Sequence, residues 1–458
     1  MSPFKILNVS PSRGLGADTE FSSTSSFHLL KRGASGAFVV TVAGAGLGMA
    51  AQLIVARLIG QTEYGIYALM LSWISVLAVV AQMGQDVSVV RFLPTYVRNG
   101  EWDKVRGLRR AIGAWVFVAS VVLACAGCAF VYWAGERHDA TWRATFYIGF
   151  AMLPVLTQLQ QSGAIHRAFK RAVASNVYIA VWRPVTLIVL LVVAAWSGAR
   201  MDAPVAAAAS AVAALLALLV SAWHLSRAWP VPARVVQPAY TLRPWLIVGA
   251  QLSVLSIIVV AGNRLDVLIL GALAEPKQVG TYYAAAQMAG FALYGVQAVN
   301  VVLAPMIAER YDAGDLAGLQ AVACRAARYG FLGALVAGIF FALIGKWALG
   351  LFGTGFEAAY VSLLILLFGY GVTSTFGEVG FMLSMTKYQK QASVFVSIGI
   401  ATNCVAAIIL VPRLGMAGAA IGAVLSLAVW RLLALRFVIE HLGIDPSIIG
   451  RWHRAGRA

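Results

Sequence analysis

A chain of 458 residues that is 60% hydrophobic and only 12% charged cannot clothe a soluble core, since soluble chains carry about 25% charged residues. A mean hydropathy of +0.81 puts the outer surface in lipid. The formal net charge of +17 then reads as loop charge at a membrane, not as a nucleic-acid footprint, because no basic face remains once the connections are assigned.

The first 32 residues are polar and rich in Ser and Gly, which predicts a disordered tail and not a signal peptide. About twelve apolar runs of spanning length follow, near 35–57, 66–90, 111–133, 144–164, 173–197, 204–225, 244–271, 280–304, 329–351, 359–384, 393–411 and 416–438. The predicted fold is an all-α membrane protein of about twelve transmembrane helices in two six-helix bundles related by an internal repeat. The bundles are residues 33–225 and 244–438. The connection between them, 226–243, carries Pro230, Pro232 and Pro238 and reads as a linker, and 439–458 forms a basic tail. Cys125 and Cys128 have metal-pair spacing but sit in the apolar run ACAGC, where small packed side chains are the simpler reading.

Basic residues alternate between the connections. If the N-terminus is cytoplasmic, the even connections and the tails hold 25 Lys and Arg against 6 in the odd ones. This positive-inside asymmetry predicts that both termini are cytoplasmic. The repeat has a visible signature. The hairpin turn Gln61-Thr62-Glu63-Tyr64-Gly65 is echoed about 215 residues later by Glu275-Pro276-Lys277-Gln278-Val279-Gly280-Thr281-Tyr282-Tyr283. Six helices per half make the copies parallel repeats about an axis along the membrane normal. Gly44 and Gly48, like Gly418 and Gly422, have the spacing that lets helices pack closely.

On Arg57 to Leu69 (RLIG-x-x-x-YGIYAL), Gly84 to Pro94, Leu265 to Gly271, Gly280 to Tyr283 and Leu351-Phe352-Gly353, the chain resembles the polysaccharide transporter family. These are the Wzx-type O-antigen and exopolysaccharide flippases, in a superfamily with multidrug exporters and lipid II flippases. The resemblance covers roughly residues 33 to 440. It implies two bundles around a cavity that opens alternately to each side of the inner membrane. The cargo implied is an oligosaccharide on an undecaprenyl diphosphate carrier, with membrane lipid, a coupling ion (H+ or Na+) and other polysaccharide-assembly proteins as further partners. No cofactor, metal or nucleic acid is expected, and no enzyme motif is present: there is no HExxH, GxSxG or Walker loop.

Such a cargo needs a wet groove with cations for its diphosphate, and Arg suits phosphate best. Charges inside apolar runs are therefore the candidates, because each costs about 2.5–3.5 kcal/mol on insertion scales. Arg183 is the deepest, roughly 15 Å from either end of its run, and Pro184 should loosen the helix there. Arg264 and Asp266 share one run but point to nearly opposite sides of a regular helix. Arg183, Arg264, Arg91, Arg57 and Lys346 are the candidate diphosphate or sugar contacts. For Arg183 and Arg264 a structural bridge to an acid is the competing role, and for Arg57, Arg91 and Lys346 it is an interface anchor. Asp266, Glu378 and Asp86 are the candidate coupling or helix-locking acids. Gln52, Gln158, Gln161, Gln251, Gln287, Gln297 and Asn300 could line a sugar path or join helices. The functional alternatives are an ion-coupled exporter of small organic cations and a membrane scaffold or sugar-processing enzyme.

Overall fold

The computed structural model describes residues 20–134, 138–386 and 388–450. The expectations for most of the N-terminal tail, for Lys387 and for Arg451, Arg454 and Arg457 lie outside the described residues. Every regular element among the described residues is helical. The first half comprises α1 (Glu20–Gln82), α2 (Gln85–Asn99), α3 (Trp102–Ala134), α4 (Ala140–Ala168), α5 (Ala172–Val177), a π-helical turn (Tyr178–Trp182), α6 (Arg183–Trp196) and α7 (Ala203–Ala228). A short α8 (Pro232–Val235) lies in the proline-rich connection. The second half comprises α9 (Leu242–Gly262), α10 (Leu265–Leu273), α11 (Pro276–Asp312), α12 (Leu316–Gly350), a 3₁₀ turn (Phe356–Ala359), α13 (Tyr360–Ser374), α14 (Val379–Ser384), α15 (Gln389–Leu414) and α16 (Met416–Leu442).

Eight of the described helices are long and apolar enough to cross a membrane, or nine if the bent α9 is included. This is fewer than the twelve apolar runs. Part of the difference is α1: it contains two helices joined at Gly60, whose φ of 77° and ψ of 175° are not helical. Its apolar part, Val40–Gln82, is 43 residues long, about twice the length a bilayer core requires. The helices α4 and α11, 29 and 37 residues long, are not among the eight. α1 begins at Glu20, inside the stretch read as a tail.

Connections predicted to share a side touch one another. At the basic end, Arg106 donates to the Val236 carbonyl at 2.5 Å, and Arg109 lies over the Trp229 ring at 4.5 Å. Trp245 Nε1 donates to the Tyr96 hydroxyl at 3.0 Å, and Arg328 Nε donates to the Ile448 carbonyl at 3.1 Å. At the charge-poor end, the Ala203 amide donates to Glu63 at 2.9 Å. This pairing of even with even and odd with odd follows if the chain crosses at each run.

The two halves meet backbone to backbone at the repeated turn. A Cβ built on Gly65 would lie 1.7 Å from the Pro276 carbonyl oxygen, and one on Gly280 would lie 2.3 Å from the Gln61 carbonyl oxygen. Pro276 and Gly280 follow Gln61 and Gly65 by 215 residues each, so the two contacts are copies of each other. A two-fold relation produces this: residue i of one copy meets j of the other, and j meets i. Only glycine admits such an approach. Around it Tyr64 packs edge-on against Tyr283 and Phe356, with ring centres 5.9 and 6.0 Å apart, and Tyr64 is fully buried. Each such pair contributes about 0.5–1.5 kcal/mol beyond its buried area. A second close approach joins the halves at Gly84, where a Cβ would lie 2.2 Å from the Gly249 carbonyl oxygen.

Gly280→Val should force this end apart. Spin labels placed at Thr62 and Lys277, both exposed, are expected to report a longer distance in that background than in the parent. An unchanged distance would remove the glycine contact as the closure.

Candidate functional site

A cavity of about 690 Å³ lies between the halves. α1 supplies Thr41, Gln52 and Ser75, the α9–α10 break supplies Asn263 and Arg264, and α11 supplies Gln287. None of its described lining residues is acidic. Of the amides named from the sequence, Gln52 and Gln287 line this cavity, and Gln52 Oε1 also accepts from the Tyr64 hydroxyl at 3.1 Å; Gln158 and Gln161 line a different cavity, Gln251 is exposed, and the side chains of Gln297 and Asn300 lie outside the described set.

Arg264 is brought to this cavity by a broken helix. The run 244–271 is not one regular helix: α9 ends at Gly262 and α10 starts at Leu265, leaving Asn263 and Arg264 between them. The guanidinium carbon of Arg264 lies 6.0 Å from the centre of the Tyr283 ring, the outer limit of a cation–π contact. Arg264 and Asp266 form no ion pair, as their spacing predicted, and the half-buried Asp266 finds other partners. The Tyr282 hydroxyl donates to its Oδ2 at 2.6 Å, and the Val267 amide donates to its Oδ1 at 2.9 Å. The first turn of α10 also favours a carboxylate through the helix dipole.

Arg183 comes to the same tyrosine from the other half. Pro184 cannot donate to the Ala180 carbonyl, and its ring would crowd that group. The chain answers with a π turn, in which the Arg183 amide bonds five residues back to Tyr178. Ala180 lies against Gly44, where an added Cβ would sit 2.5 Å from the Ala180 Cβ, and it lines the cavity with Gly48. Gly44 thus packs closely as the small-residue spacing predicted, whereas nothing lies within 4 Å of a Cβ on Gly48. One residue before Pro184, the half-buried Arg183 is within electrostatic reach of Tyr67 and Tyr283. Arg264 thus reaches the Tyr283 ring, and Arg183, from the other half, lies within electrostatic range of the same tyrosine without lining the cavity. Among the described residues neither forms an ion pair; the ion pairs present are Lys104–Glu101, Arg167–Asp86, Arg310–Asp315 and Arg436–Glu440.

The other candidates are elsewhere. Arg57, Arg91 and Lys346 are exposed, and none lines this cavity. Asp86 sits 3.9 Å from Arg167 and ties α2 to α4. Glu378 caps α14 just after Gly377, whose φ is 71°. It acts electrostatically on Arg431 of α16, a half-buried residue absent from the sequence-derived candidates. Arg431 donates to the Thr373 carbonyl at 2.9 Å, while its Nε is buried without a hydrogen-bond partner. The signal for it was present: Arg431 stands inside the last apolar run, five residues before Arg436.

A cavity with polar lining residues thus lies between two helical halves, and the fold can be compared with known proteins. The fold matches an inward-facing multidrug-resistance MATE family transporter of the MOP superfamily at a TM-score of 0.73 and 14% identity, covering 85% of this chain and 92% of that one. An outward-facing conformation of such a transporter matches at 0.63 and 14% identity, over 89% of this chain and 94% of that one. The lipid II flippase MurJ in an inward closed conformation matches at 0.64 and 13% identity, over 87% and 86%. No curated protein matches the sequence. The family model described as polysaccharide biosynthesis protein matches residues 30–310, more than half of the chain. This multi-pass membrane protein, built on the MOP-superfamily transporter fold, belongs to the polysaccharide biosynthesis protein family.

Proposed function

We propose that the protein is a flippase that carries a polyprenyl-diphosphate-linked oligosaccharide across the inner membrane for surface polysaccharide assembly. Residues 33–225 and 244–438 rock against each other about the cavity, six spans each, with both termini in the cytoplasm. The observation that carries this reading is Arg264 on the wall of a cavity between the halves that has no acid among its described lining residues, with Arg183 of the other half within electrostatic range of the same Tyr283. Two guanidinium groups without carboxylate partners suit the diphosphate, whose oxygens they can bind in forked pairs. The hydroxyl and amide groups of Thr41, Gln52, Ser75 and Gln287 suit sugar hydroxyls. The likeness is higher to the inward-facing than to the outward-facing transporter, and the glycine contact closes the charge-poor end, which the positive-inside rule places outside. The higher likeness supports an inward-facing state, while Gly84 against Gly249 and the bonds of Trp245 to Ser88 and Tyr96 join the halves near the basic end as well. Asp266 serves here as a helix lock, because both its oxygens already have donors.

The likeness to MATE transporters supports a second reading, an ion-coupled exporter of small organic molecules. Its cargo would meet arginine where a cation needs carboxylate, so the two readings separate experimentally.

Arg183→Ala and Arg264→Ala are each expected to lower surface polysaccharide at least about tenfold at equal protein level, the equivalent of about 1.4 kcal/mol of lost cargo binding. Normal export in both, together with altered drug susceptibility, would transfer the assignment to the exporter. Gly48→Leu should block transport without unfolding the protein, because its side chain would enter open cavity; Gly46→Leu, which also meets nothing within 4 Å but does not line the cavity, should not. Tyr282→Phe strips Asp266 of a donor and should cost about 1.5–3 kcal/mol of stability, read as a lower melting temperature in detergent. If Asp266 instead relays protons, that variant would melt normally and shift the pH dependence of transport.

A further inference from the structure

A second cavity, of about 560 Å³, lies within the first half between α3, α4, α7 and α8. It shares no lining residue with the cavity between the halves. Arg106, Arg109, Arg110 and Arg234 stand on its wall, and its described lining residues include no acid. Their contacts hold the side chains in place but leave the charge uncompensated. Arg106 donates to the Val236 carbonyl, Arg234 Nη2 to the Ser226 carbonyl at 2.6 Å, and Arg109 stacks over Trp229. Arg110 is exposed.

Gln161 on α4 adds an independent sign of a missing partner. It is 2% exposed and lines this cavity, yet neither its Nε2 nor its Oε1 has a hydrogen-bond partner. Buried amides are almost always bonded, so an orphan on a cavity wall marks where a polar partner is missing. Gln158, one turn earlier, is by contrast tied to the Gly113 carbonyl at 2.9 Å.

We propose that this cavity is a second anion site, built for a phosphate-bearing group. Several guanidinium groups can each fork onto phosphate oxygens, and the Gln161 amide supplies a neutral donor at the inner wall. Two sources carry this chemistry: the headgroup of an anionic lipid from the adjoining leaflet, and a free diphosphate. The apolar Ile165, Leu218 and Leu225 on the same wall would accept the start of a lipid chain.

The test uses the full-length protein in nanodiscs. One arm compares pure phosphatidylcholine with phosphatidylcholine containing cardiolipin; the other titrates inorganic pyrophosphate into the phosphatidylcholine discs. Thermal unfolding and native mass spectrometry are the readouts. The expected result is a saturable rise in melting temperature and retained adducts with at least one probe. Apparent affinity should fall at least tenfold in R109Q/R110Q and several-fold in Gln161→Leu, a change that keeps size and leaves fewer orphan groups. Arg264→Gln, which removes any pyrophosphate binding in the cavity between the halves, should leave behind a saturable effect of unchanged affinity. Stabilisation by cardiolipin alone assigns a lipid headgroup, and stabilisation by pyrophosphate assigns a free anion; either supports the site. Absence of a saturable effect with both probes, an effect that survives both variants, or one lost in Arg264→Gln overturns it.

Discussion

The fold depends on one backbone contact made twice. Lipid offers no hydrophobic drive between helices, so two helical halves cohere through close packing and buried polar bonds. Gly65 against Pro276, and Gly280 against Gln61, place main chain on main chain. Because the two turns are copies, the contact is self-complementary, and it locates the axis relating the halves. The aromatic cluster of Tyr64, Tyr67, Tyr283 and Phe356 packs around that axis. It also supplies the Tyr283 ring that Arg264 reaches. Closure at one end and cation placement in the middle are thus consequences of the same glycines.

Symmetry of the backbone does not extend to the chemistry. At the offset of 215, Arg264 corresponds to Met49, and both line the cavity between the halves. The fold duplicates the wall; the second copy alone charges it at that position. The charged groups also sit where helices fail: Arg183 ends a π turn, Arg264 lies between α9 and α10, and Glu378 follows the break at Gly377. A break frees carbonyl and amide groups that hydrocarbon cannot satisfy, so it is tolerated only against protein or a wet cavity. The same place is the least costly one for a guanidinium. Broken helix and buried charge therefore occur together for one reason, the access of water.

This explains which parts of the molecule were legible in the sequence. A charge in the middle of an apolar run is conspicuous, so Arg183, Arg264 and Asp266 could be read directly, and Pro184 announced the local loosening. Charges at the ends of runs carry no such information. Arg57, Arg91 and Lys346 look alike in sequence whether they face headgroups or a cavity, because the choice depends on rotation about the helix axis. Asp86 found Arg167 on α4, a pairing set by tertiary packing. Arg431 stood near enough to the basic tail to be passed over. The span number also depended on more than apolarity, since Gly60 joins two helices into one continuous element and the more polar α4 is not apolar enough to qualify.

Arg106, Arg109, Arg110 and Arg234 pose the same problem in a stronger form. By composition they belong to the positive-inside surplus, which a membrane's sidedness explains without any site. Sidedness, however, requires only that such residues stay on one face of the bilayer; it does not require that four of them share the wall of one cavity. Like charges within a few Å repel by several kcal/mol at an effective dielectric near 20, against about 1 kcal/mol in open water at 4 Å. Arg110 and Arg234 do extend into solvent, where repulsion is smallest, whereas Arg106 and Arg109 are held half-buried on the same wall. Their place on one wall with the partnerless Gln161 amide is what the proposed anion site accounts for: the compensating charge would come from outside the chain. The central arginines differ: Arg264 has the Asp266 carboxylate within electrostatic range, though the two form no ion pair, and Arg183 has Tyr67 and Tyr283. On the proposed reading, the cargo diphosphate in one place and a phosphate-bearing group in the other complete what the arginines begin.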